Sequence, residues 1–229
     1  RIRADLHSHG PIGFQNHWLK VQGYAGKNLL QLFIDSCLEK DIDVCAVTSE
    51  EFEIPKDSIH DRLGYLASQI KELPIEYMAE RLSSNVIVVE REDKRVYLIN
   101  GQTVIASESG HRLDYLVIGS NQVPNYRNLH DTIKYCTDRG LIHGLEHMFV
   151  ENHFGVGKDL AEEIVHQVDF IEGHNSQIPL PAFMSIIPVI GHYNRGQNEK
   201  AKNFARENGK PYIAASDSHR IEDIGISHI

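Results

Sequence analysis

Cysteine is scarce in this sequence. Its three, Cys37, Cys45 and Cys136, are scattered, odd in number and show no C-x-x-C spacing. They supply no disulfide framework and read as buried reduced thiols of a cytosolic protein. Long apolar runs are absent too. None reaches transmembrane length and nothing resembles a signal peptide, so no membrane role is expected and the reading is cytoplasmic. Positive charge is in deficit: 23 Lys and Arg face 32 Asp and Glu, a net charge of −9. That argues against a broad nucleic-acid or anionic-membrane footprint, although a local basic patch is compatible with it. No internal repeat, low-complexity segment or interdomain linker is present.

What remains is ordinary globular material. The 229 residues are 41% hydrophobic and 24% charged, enough for a sizeable core. We expect one α/β domain over residues 1–229. The chain starts at Arg1 without Met, almost on a strand, and stops abruptly at Ile229. Residues beyond either end are therefore allowed for, including truncation at the C-terminus. Histidine is plentiful, with fourteen copies.

The organising stretch is Asp5-Leu6-His7-Ser8-His9. Residues 2–6 read as a short strand. Side chains alternate along a strand, so His7 and His9 share a face, with Asp5 one step back. Neutral imidazoles suit zinc and other transition metals. Near the other end, Ala214-Ala215-Ser216-Asp217-Ser218-His219 repeats the design: an apolar strand, then two ligand types spaced i, i+2. If the fold closes into a barrel, first and last strands become neighbours and both pairs face one centre.

Between them the chain alternates. A loop at 10–24 carries His17 and Trp18. Residues 26–40 have helical periodicity, and 44–48 form a compact buried strand. Glu50, two past Thr48, could reach the same centre; Glu51 and Glu53 read as solvated. Residues 57–83 look mostly helical. Runs at 86–90, 95–100 and 103–107 look like strands, with turns at Glu92-Asp93-Lys94 and Asn100-Gly101, so a small antiparallel hairpin elaboration is expected near 86–106. Glu108 follows an apolar run and is either a bridging carboxylate or an exposed strand end. Strands at 113–118, 141–145, 170–173 and 212–215 alternate with helices at 128–139, 156–165 and 197–208. His143-Gly144-Leu145-Glu146-His147 matches H-x-x-E-H, a zinc-peptidase signature that needs a helix. Gly140 has just closed a helix and Gly144 interrupts the motif, so a buried strand is expected, with His143 packed inside.

Taken together, Asp5 to His9, Glu108, His147, Ile171-Glu172 with Asn175, and Ser216 to Arg220 resemble the PHP (polymerase and histidinol phosphatase) superfamily. The resemblance spans nearly the whole chain. It implies a distorted seven-stranded β/α, TIM-like barrel with metals at the strand C-termini. By motif, His7, His9, Glu108 and Asp217 would hold one metal. Glu108 would bridge to a second with His147, and His219 would belong to a third position. Two departures matter. Where the family reads Thr-Asp-His this chain has Thr48-Ser49-Glu50, and where a histidine often follows Gly119-Ser120 it has Asn121. They imply one well-formed site and a second partial one, with Glu50 and His17 as further candidate ligands. One to three divalent ions, Zn, Mn or Fe, are the expected cofactors.

The activity so implied is phosphate-ester hydrolysis of a small phosphorylated substrate by metal-activated hydroxide. Arg220 is the candidate phosphate contact; Asn175 and Arg195 are secondary ones. Two rivals stand beside it: an amidohydrolase-type metal hydrolase on a non-phosphate substrate, and a non-catalytic metal-binding module.

Overall fold

The computed structural model describes residues 2–11, 23–48, 66, 69–70, 73–176 and 188–227; the side chains of 152 and 188–195 lie outside that description. The chain opens with β1 (Ala4–Ser8), α1 (Leu29–Glu39) and β2 (Val44–Val47). Asn28 caps α1, its side chain accepting from the Gln31 N–H. The apolar stripe Leu30, Phe33, Ile34 and Cys37 is buried by the helical spacing anticipated for it. Then come β3 (Tyr77–Ser83), β4 (Val86–Arg91), β5 (Lys94–Glu108), β6 (His111–Ile118) and the two-residue β7 (Arg127–Asn128). The remainder alternates: α2 (Leu129–Asp138), β8 (Ile142–Leu145), α3 (Lys158–Ile164), β9 (Phe170–Asn175), α4 (Pro188–Glu207) and β10 (Tyr212–Ala215).

Seven strands run side by side in the order β1-β2-β5-β6-β8-β9-β10. Neighbours are parallel except that β6 runs against both β5 and β8. The two ends of the sheet meet just beyond β1 and β10. Asp217 N–H donates to His7 O at 2.8 Å, His9 N–H donates to Ser218 O at 3.2 Å, and the Ser8 and Ser218 hydroxyls bond at 2.6 Å. The sheet is thus a nearly closed, distorted barrel of seven strands, as expected. Leu6, Ala46, Ile99, Leu116, Phe170 and Ile213 fill its interior, while helices pack apolar faces on the outside. Among the described residues no helix is long and apolar enough to cross a membrane.

Three expectations are corrected. Asn100-Gly101 makes no turn. β5 runs through it for 15 residues, pairing with β2 and β4 in its first half and β6 in its second. Gly101 serves close packing instead: a Cβ there would sit 2.8 Å from Thr48 Cγ2 and 3.0 Å from Val117 O. Residues Tyr77–Ser83, read as helical, form the edge strand β3 of a β3-β4-β5 antiparallel extension. Finally, α4 begins well before residue 197. Of the segments read from sequence, 12–22, 49–65, 67–68, 71–72 and 177–187 lie outside the described residues.

H-x-x-E-H is confirmed as strand rather than helix. Gly144 lies in β8, where a Cβ would meet the Phe170 backbone oxygen at 2.5 Å. His143 is packed, as expected, and hydrogen-bonds the Tyr115 hydroxyl.

Asp5 fastens the barrel seam from below. It is buried, and its two oxygens accept from Ser216 N–H at 3.0 Å and Gly225 N–H at 2.9 Å. Removing the carboxylate strands two buried donors. Asp5→Ala should lower the unfolding free energy by about 2–5 kcal/mol in urea titration. A loss under about 0.5 kcal/mol would show the seam to be held by other contacts.

Candidate metal centre

The seam delivers its side chains to the C-terminal end of the parallel strands. β1 presents His7 and, just past its end, His9; the turn after β10 presents Asp217 and His219. Three imidazole nitrogens gather on one carboxylate oxygen. His9 Nε2, His7 Nε2 and His219 Nε2 lie 3.2, 3.3 and 3.6 Å from Asp217 Oδ1. The His9 and His219 rings stack at 4.2 Å. His7, His9 and Asp217 are buried, while His219 is partly exposed at the mouth.

Behind them stands a second row. His7 Nδ1 faces Glu172 Oε1 at 2.9 Å. A carboxylate only accepts, so Nδ1 carries the proton and Nε2 is left for the centre. Glu172 Oε2 accepts from His147 N–H at 2.7 Å and from Asn175 Nδ2 at 3.0 Å. Asn175 Nδ2 also donates to Asp217 Oδ2 at 3.0 Å. Asn175 therefore bridges two carboxylates and is buried.

A neighbouring group consists of Asp114 in the middle of β6, with Glu146 and His147 just past β8. One ligand atom from each lies within 4.8 Å of the others, as is also true of His7, His9 and Asp217. Glu146 Oε1 is 3.1 Å from His147 Nε2, and its Oε2 accepts from the Thr103 hydroxyl at 3.1 Å. Arg112 donates to Asp114 from Nε at 2.9 Å and Nη2 at 3.2 Å, and stacks its guanidinium over Phe154. Asp217 and His147 both adopt left-handed backbone, φ 49° and 27°, which a side chain resists; here it turns each one inward off its strand.

Charge governs protonation throughout. Burial disfavours a charged His7, yet Asp217, Glu146 and Glu172 outweigh it and hold His7 up at about 10. Burial likewise opposes His147, and Glu146, Glu172 and Asp217 raise it to about 9. In return Asp217, despite burial, is driven well below the usual carboxylate range by His7, His9 and His219. Glu146 is lowered by His7 and His147 against its burial. Burial, then the Glu146 charge, pushes Asp114 up to about 6, against the pull of Arg112.

These residues fit a divalent cation. His7 Nε2 and His147 Nδ1 are buried with no hydrogen-bond partner, an expensive state for polar atoms. Mixed imidazole and carboxylate donors suit zinc, manganese or iron.

Most of the residues expected at a site are thus brought together: His7, His9, Asp217, His219 and His147. Glu108 is not. Its carboxylate accepts from Asn128 Nδ2 at 2.6 Å at the far end of β5, and it belongs to neither group. The carboxylates beside His147 are Glu146 and Asp114, which the sequence reading did not assign. Arg220 is exposed and its charge acts on Tyr24 and Glu222. Glu50 and His17 lie outside the described residues, as does the Arg195 side chain. Asn121, buried, accepts from Asn100 Nδ2 and shapes the loop after β6.

A PHP-associated family model matches residues 195–229. No curated protein matches the chain. Among solved structures it is similar to PsfC from Pseudomonas syringae, at 13% identity and TM-score 0.62, over 99% of this chain and 80% of that one. It is also similar to a two-domain protein from Bacteroides vulgatus containing a predicted PHP-like metal-dependent phosphoesterase, at 13% identity and TM-score 0.56. That likeness covers 96% of this chain and 52% of the other, so the chain spans about half of it. At such identity the likeness is one of fold. The chain shares the fold of these structures, and its C-terminal segment matches the PHP-associated model.

Proposed function

We propose that the protein is a metal-dependent hydrolase of phosphate esters. The observation that carries this reading is the convergence of His7, His9 and His219 on one oxygen of buried Asp217. His7, His9 and Asp217 would hold the cation, with His219 at the open side. When bound there, a dication supplies Lewis acidity toward a phosphoryl oxygen and toward water.

The chain's own residues do the rest. Glu172 fixes the tautomer of His7 and, through His147 N–H, the turn that carries His147. Asn175 keeps Glu172 and Asp217 at a set separation. Arg112, anchored on Asp114 and Phe154, puts a positive charge beside the centre, which supports an anionic substrate over an amide. The net charge of −9 favours a small phosphorylated substrate over a nucleic acid. The phosphoesterase description of the Bacteroides vulgatus protein points the same way.

Protein loaded with Mn, Zn or Fe should hydrolyse an aryl phosphate, and His9→Ala should reduce kcat/KM by about 100-fold or more. Equal rates in the two proteins would refute the assignment.

The metal-free protein should show the charge pattern in its stability. His7 and His147 are raised in the fold, so their contribution is complete below about pH 6.5 and is lost as pH rises through about 9 to 10. Asp217 and Glu146 are depressed, so theirs is present above about pH 4.5 and is lost as pH falls below it. Tm should peak between about pH 5 and 6.5 and fall toward pH 10. A flat Tm from pH 6.5 to 10 by calorimetry would contradict the charge pattern.

A further inference from the structure

A groove of about 370 Å³ runs between the loop after β8 and helix α4, and shares no lining residue with the metal centre. One wall carries Phe149, Glu151 and, at the start of α3, Lys158. The other carries Gln197, Lys200, Phe204 and Glu207, which helical spacing brings to one side of α4. The Phe149 and Phe204 rings meet at 88° with centroids 5.8 Å apart, so they form an aromatic corner. Glu151 lies against the backbone of Gly157, where a Cβ would stand 3.1 Å from Glu151 Cδ. Glycine at that position leaves the room that the carboxylate occupies.

One lining side chain holds an unmet acceptor. Gln197 is 3% exposed, and its Oε1 is buried with no hydrogen-bond partner. A buried amide oxygen left so is costly and calls for a donor. The charges around it are unmatched as well. Lys158 turns to Glu162 at 3.5 Å. Among the described residues, the side chains of Glu151, Glu207 and Lys200 enter no hydrogen bond or ion pair. Two carboxylates against one ammonium leave the groove with an excess of negative charge. Aromatic faces add to this, since the ring quadrupole attracts a cation within about 6 Å of the centroid.

We propose that this groove binds an organic primary ammonium ion. Its N–H groups donate to Gln197 Oε1 and to the Glu151 and Glu207 carboxylates, and its carbon chain lies in the corner of Phe149 and Phe204. A quaternary ammonium has no N–H to give Gln197. Lys200 stands ready for an anionic tail, so a simple amine and a zwitterion with a terminal carboxylate share the recognised head group. The proposal is independent of the metal centre, because none of these residues belongs to it.

The test is calorimetric titration of the full chain with butylammonium chloride at about pH 7, where the amine is charged, against a sodium chloride blank. Binding should be saturable at one ion per chain and unchanged after chelator treatment. Gln197→Leu and Glu207→Gln should each weaken it about tenfold or more. Tetramethylammonium should bind about tenfold more weakly than butylammonium, or not at all. Gln197→Leu should also keep or raise Tm, since it removes a buried acceptor that has no partner. Glu207 is exposed, so Glu207→Gln keeps the test decisive should Gln197→Leu fail to fold. A titration with γ-aminobutyrate separates the two tails: tighter binding than butylammonium supports a zwitterion held at Lys200, and weaker binding supports an amine with an apolar tail. No saturable binding overturns the proposal. So do unchanged affinities in both variants, equal binding of tetramethylammonium, or loss of binding with chelator.

Discussion

A buried carboxylate needs positive charge or hydrogen-bond donors, and the whole architecture answers that need at Asp217. Its Oδ1 is ringed by imidazoles from both ends of the chain, and its Oδ2 is held by Asn175. The contacts of His7 and His9 exist only when β1 and β10 are side by side. The backbone exchange between residues 7–9 and 217–218 is therefore both the closure of the barrel and the assembly of the centre. Folding and site formation are the same event at this seam.

The seam was also the most legible part of the sequence. His7 with His9, and Asp217 with His219, each follow an apolar β run, and strand alternation alone puts each pair on one face. The seven-stranded barrel followed from the strand–helix alternation and from the resemblance these motifs carry. The second group was less legible. Asp114 and Glu146 are single acids, 32 residues apart in number, and only the β6–β8 register makes them neighbours. Glu146 did leave a trace, in the H-x-x-E-H match, but that match drew attention to a helix. Glu108 follows an apolar run, which left two readings open, and the resemblance gave it the bridging place; β5 carries it to the turn of a hairpin with β6.

The errors of fold share a cause. Asn-Gly signals a turn because both residues tolerate positive φ, but glycine is also demanded where backbones or side chains crowd a strand. At Gly101 the crowding by Thr48 and Val117 decides. The strand Tyr77–Ser83 is exposed along almost its whole length, so it shows no two-residue alternation of burial. Its existence depends on pairing with β4, a nonlocal fact that local pattern does not record.

The straight passage of β5 has a mechanical meaning. Val96 and Leu98 lie in the apolar cluster under α1, while Val104 and Ala106, further along the same strand, lie in the cluster under α2 and α3. One rigid rod is thus embedded in both halves of the molecule. Thr103, on the same strand, gives its hydroxyl to Glu146.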